Sequence, residues 1–154
     1  MKPRILSALT ATAAALWLAL PAASAAGIDA DQARRIAEQF VAAKQGSPQE
    51  SFETMETAVA DLDGDGKDEI VVWWNMLGPT YWSHGVTVLA HRGQRYQPAG
   101  ETEEALGNVE DMDVRNGVIR LQTKWPGPND PRCCPSVAKT MLFRWQGNRL
   151  VPTK

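Results

Sequence analysis

The residues of this chain best suited to chemistry are three aspartates in the stretch ADLDGDGKDEI, residues 60–70. Asp61, Asp63 and Asp65 stand on alternate positions, Gly66 follows, and Lys67 and Glu69 continue the alternation. Carboxylates crowded this closely repel one another, and a turn by itself asks only for Gly, Asn or Asp. A hard cation such as Ca²⁺ takes about six to eight oxygens at roughly 2.3–2.6 Å in a flexible shell. Alternate residues of a tightly curled loop point inward, which brings the three Asp side chains round one centre. Gly66 permits the sharp turn. Lys67 then offers its backbone carbonyl with its ammonium in water, and Glu69 closes the ring. Magnesium fits less well, because it keeps its waters and prefers a smaller, rigid octahedron. The competing reading is a solvated acidic hairpin with no ion.

The run D-x-D-x-D-G-x-x-E followed by the apolar IVVWW resembles the calcium-binding β-hairpin loops of the FG-GAP/VCBS type. That resemblance implies Ca²⁺ held by Asp61, Asp63, Asp65, Lys67 and Glu69. It departs from an EF-hand and from a dockerin repeat, since position 12 is Val72 and the flanks read as strands. One copy of the loop is present, so a propeller is not implied.

A second chemical feature is PGPNDPRCCPS, residues 126–136, which carries the only two cysteines, Cys133 and Cys134. Three arrangements are open: a vicinal disulfide, two free thiols, or a bridge to another chain. Adjacent Cα atoms lie about 3.8 Å apart, below the usual disulfide range, so a vicinal bond would be strained and reducible. The segment D-x-x-C-C-P-S, Asp130 to Ser136, with the strand after it, resembles the C-terminal part of the LppP/LprE family of small exported lipoproteins. The resemblance implies a small exported protein. The lipobox cysteine is lacking, so membrane anchoring does not carry over.

An enzyme is not expected. His84 and His91 are the only histidines, and seven residues apart on one strand they fall on opposite faces. Ser83 beside His84 is adjacency, not a proton relay. The acids from Glu101 to Asp113 read as a solvated run, leaving glycoside chemistry by a lytic enzyme as a distant third reading. The rival function is recognition. Trp73, Trp74, Tyr81 and Trp82 bracket a Gly-Pro loop, and exposed aromatics make rigid anchors for a protein partner or for sugar rings. Trp74, Pro79, Tyr81 and Trp82 are the candidate partner-binding residues; strand periodicity makes one of Trp73 and Trp74 core, and the competing reading puts both inside. A periplasmic inhibitor or immunity protein, binding a cell-wall hydrolase through loop 77–82, is the alternative function.

These residues need an address and a scaffold. Residues 1–25 combine Lys2 and Arg4, an apolar run over 5–20 and Ala23-Ser24-Ala25, the pattern of a secretory signal peptide. The expected product is periplasmic or secreted, without a membrane span, and covers residues 26–154 as a single domain. The chain has 16 Lys and Arg against 18 Asp and Glu, with eight of the acids inside residues 50–69. No basic stripe interleaved with aromatics exists, so nucleic acid is not an expected partner.

Residues 29–45 read as a helix: Asp29 or Asp31 caps it, and Ala33, Ile36, Ala37, Phe40 and Val41 form its apolar stripe. Strands are expected at 52–60, 69–76, 85–91, 109–114, 118–125, 137–145 and 149–151. Asn116-Gly117 signals a tight hairpin. Residues 118–125 alternate, giving one buried and one wet face, whereas IVVWW does not alternate and reads as a central strand covered on both sides. The expected class is α+β: the helix packed on one antiparallel, meander-like sheet of about six or seven strands.

Overall fold

The computed structural model describes residues 27–154, so the proposed signal peptide and its cleavage point lie outside the described residues. The helix forms as its stripe requires. It is α1 (Ala30–Ala42), with the Asp29 side chain accepting a hydrogen bond from the Gln32 amide at 2.8 Å and Ala33, Ala37 and Val41 buried. Eight strands follow: β1 (Ser51–Ala60), β2 (Glu69–Leu77), β3 (Trp82–Arg92), β4 (Arg95–Glu101), β5 (Asn108–Arg115), β6 (Val118–Trp125), β7 (Val137–Gln146) and β8 (Arg149–Thr153).

The single-sheet α+β expectation is overturned. The strands form two four-stranded antiparallel sheets, β1-β2-β3-β4 and β5-β6-β7-β8, and the domain is mostly β with one short helix. The physical reason lies in β2. Its residues Ile70, Val71, Val72, Trp73 and Trp74 are buried on both faces, and one thirteen-residue helix covers only one of them. Ile70, Val72, Trp74 and Leu89 pack under Ala33, Ala37 and Val41. Val71, Trp73, Val86 and Val88 instead meet Val109, Met112, Ile119, Leu121, Phe143 and Leu150 of the second sheet. The result is three layers: helix, sheet, sheet.

The strand absent from the expectation is β4, whose Pro98 and Gly100 read as strand breakers. Both are accommodated because β4 is an edge strand with a register shift opposite Val88 and Leu89. Gly100 lies against the Trp145 ring of the second sheet, and the Trp145 indole N–H donates to the Ala99 carbonyl at 2.8 Å. In β6 the expected alternation holds, with Ile119, Leu121 and Thr123 buried and Arg120 exposed.

Following the strands places every connection at one of two ends. One end carries the acidic loop 61–68 and the tight turns at Gly93, Asn116-Gly117 and Gly147. The other carries loops 78–81, 102–107 and 126–136. The Asn116-Gly117 turn has positive φ at both residues, and Gly117 approaches the Leu62 carbonyl so closely that a side chain there would collide with it. The acidic loop therefore rests on the second sheet.

Candidate metal centre

The acidic loop leaves β1 at Ala60 and enters β2 at Glu69. Leu62 fixes it from below: its side chain is buried in the inter-sheet core, which forces its neighbours Asp61 and Asp63 away from that core. Gly64 and Gly66 both take φ +83°, a conformation costly for other residues, and so curl the chain back on itself. The curl brings carboxylate oxygens of Asp61, Asp63 and Asp65 within 4.8 Å of one another at the surface.

Backbone amides hold these carboxylates in place. Asp61 accepts from the Gly64 amide at 2.7 Å and the Gly66 amide at 3.0 Å. Asp63 accepts from the Asp65 amide at 3.1 Å, and Asp65 from the Lys67 amide at 2.8 Å. The Lys67 amide, followed by its ammonium, holds the Asp65 carboxyl below the usual carboxylate range. The exposed Lys67 ammonium lies 3.1 Å from Asp65, a surface pair of small energetic weight.

Glu69 is placed differently from its aspartate neighbours. It is only 3% exposed, and one of its oxygens accepts from the Leu62 amide at 2.9 Å. Burial raises its pKa to about 7; the Leu62 amide opposes the rise, and the charges of Asp63, Asp65 and Asp61 add to it. The structure thus joins three of the four candidate carboxylates and leaves the fourth turned inward beside Leu62. Asp68 lies against Gly27, outside the aspartate trio.

The other singled-out residues divide between core and surface. Trp74 is 8% exposed, donates from its indole N–H to Thr87 at 2.9 Å and carries the Lys44 ammonium over its ring. It belongs to the helix-side core. Tyr81 and Trp82, by contrast, are 45% and 48% exposed, and Pro79 is exposed beside them. The histidines share β3 and do fall on opposite faces, His84 beside Trp73 and His91 beside Tyr96.

Cys133 and Cys134 form a vicinal pair with Cα atoms 3.8 Å apart on the loop between β6 and β7. That separation is below the span of an ordinary disulfide. Asp130 ties the ends of this loop together, accepting from the Gly127 and Ser136 amides, each at 2.7 Å, and from the Ser136 hydroxyl at 3.0 Å. These bonds, led by those from the two amides, hold the Asp130 carboxyl below its ordinary value. The clamping roles of Leu62 and Asp130 are not evident from residue type alone. The signals available were an apolar residue between two aspartates and an Asp six residues before a Ser.

Comparison of the chain with protein-family models, with curated proteins and with solved structures finds no match.

Proposed function

We propose that this protein is an exported, non-enzymatic calcium-binding module in which the ion stabilises the hairpin at residues 61–69. The observation that supports this reading most is the convergence of Asp61, Asp63 and Asp65 on a loop curled by Gly64 and Gly66 and anchored by Leu62. The loop amides offset part of the repulsion among these carboxylates, and a cation would offset the rest. Asp61, Asp63 and Asp65 would hold the ion, with the Lys67 carbonyl and Glu69 as further oxygens. Glu69 would have to ionise to join them. Export rests on the residues 1–25 pattern. Among the described residues, no helix is long and apolar enough to cross a membrane.

Equilibrium dialysis of the metal-stripped protein against radiolabelled calcium tests the assignment. One ion per chain, lost in Asp63→Ala, is the expected result; no uptake at millimolar calcium contradicts it. The second reading, a partner-binding protein using loop 77–82, is favoured by the exposure of Tyr81 and Trp82. It now rests on Pro79, Tyr81 and Trp82, because Trp74 is spoken for by the core. Pull-down from a periplasmic extract with wild type and with Trp82→Ala separates it from the calcium reading.

A further inference from the structure

The end of the sandwich opposite the acidic loop holds a cleft of about 340 Å³ where the two sheets part. Trp82 and His84 enter it from β3, Trp125 from β6, and Arg132 and Pro135 from the cysteine loop. A second hollow, of about 440 Å³, adjoins it, sharing Trp82 and Arg132 and reaching Tyr81 and Cys133. Volumes of this size are at the small end of ligand pockets, with room for one or two rings.

His84, which lines the cleft, faces Asn75 across β3 and β2, and its Nε2 is buried. The His84 Nδ1 accepts from the Trp73 indole N–H at 3.4 Å, so the ring's own proton resides on Nε2. Burial depresses the His84 pKa, opposed by a hydrogen bond with the Asn108 side chain.

The walls of the cleft carry its recognition chemistry. Trp125 is fixed by its indole N–H to the Thr123 hydroxyl at 2.9 Å and by the Lys139 ammonium 4.5 Å from its ring centre. Gly107, at φ +67°, lets the adjoining loop lie against that indole where a Cβ would collide. No carboxylate lines either hollow, although the chain as a whole is acidic. Lys124 is committed to Glu110 at 2.8 Å, whereas Arg132 makes no ion pair among the described residues. We propose that the cleft binds a small ligand joining a carboxylate to a ring: Arg132 takes the carboxylate, and Trp82 and Trp125 take the ring. An acidic sugar and an aromatic acid share this chemistry. The site lies at the far end of β2 from the acidic loop, and its occupancy is independent of calcium.

Tryptophan fluorescence of the purified protein tests the proposal with two matched pairs of probes. One pair is a glucuronate-containing disaccharide and its glucose counterpart; the other is phenylacetate and 2-phenylethanol. At least one acid should bind saturably, with its neutral counterpart about tenfold weaker, as expected for one charge-assisted contact. Which acid binds identifies the source of the ring. Arg132→Gln should reduce the acid to the level of its neutral counterpart without changing the melting temperature, because Arg132 is exposed on a loop. Trp82→Ala, also at a surface position, should abolish the binding, read by calorimetry. The proposal is overturned if neither acid saturates by about 20 mM. Equal binding of acid and neutral probe overturns it too, as does undiminished binding to Arg132→Gln.

Discussion

Glu69 is the most confined acid of the hairpin, and its position makes a pH-dependent prediction. Its pKa of about 7 in the folded chain stands above its ordinary value of 4.5. Between those two values the folded protein holds a proton that the unfolded chain has released, so stability rises as pH falls through this window. The metal-free protein should therefore be more stable at pH 5 than at pH 8, by on the order of 2–3 kcal/mol. Glu69→Gln should remove most of that difference, as urea unfolding in the presence of chelator would measure; an unaltered pH slope in Glu69→Gln contradicts the placement. At this scale the sequence was partly legible. Alternation within a curled loop was enough to bring Asp61, Asp63 and Asp65 together. Glu69 is also the first residue of β2, where period two sets it on the face of Val71 and Trp73, so its inward turn follows from strand geometry, which loop spacing alone does not show.

Among the elements, the loop between β6 and β7 gives the clearest prediction. Its ends are held by Asp130, and the vicinal cysteines close no length of chain, so they remove almost no unfolded-state entropy. Replacing Cys133 and Cys134 together by Ser should shift stability by less than about 1 kcal/mol, measured by thermal melting. A loss of several kcal/mol would mean that the pair anchors more than the loop. Most elements were readable, because hairpin turns such as Asn116-Gly117 and the stripe on α1 are local signals. The strand β4 was not. Whether Pro98 and Gly100 break a strand or sit in one depends on the strand being an edge, and on what faces Gly100; here that is Trp145, forty-five residues away in sequence. No local pattern contains that neighbour.

For the whole molecule, the division into two sheets was the feature least visible in advance. Every connection within each sheet is a hairpin, and the crossing at residues 102–107 looks like one more turn, so hairpin signals alone do not show where one sheet ends. The unalternating β2 held the clue: it needed covers on two faces, and a single helix supplies one. The layered fold then sets the acidic loop and the aromatic cleft at opposite ends, with loop 61–68 seated on the Asn116-Gly117 turn of the second sheet. If residues 1–25 direct export, the mature N-terminus should be Ala26, since Ala23 and Ala25 occupy the positions read at cleavage. Mass spectrometry of protein recovered outside the cytoplasm checks it, and retention of Met1 or Lys2 contradicts it. The central claim is the calcium site, and an ion bound only by the folded form raises stability by about 2.7 kcal/mol at a hundredfold excess over Kd. Its most direct test is the melting temperature of the metal-stripped protein titrated with calcium, beside Asp63→Ala and Asp68→Ala. The account predicts a rise for wild type and for Asp68→Ala, a far smaller one with magnesium, and none for Asp63→Ala; equal melting temperatures of the wild type in chelator and in millimolar calcium would contradict it.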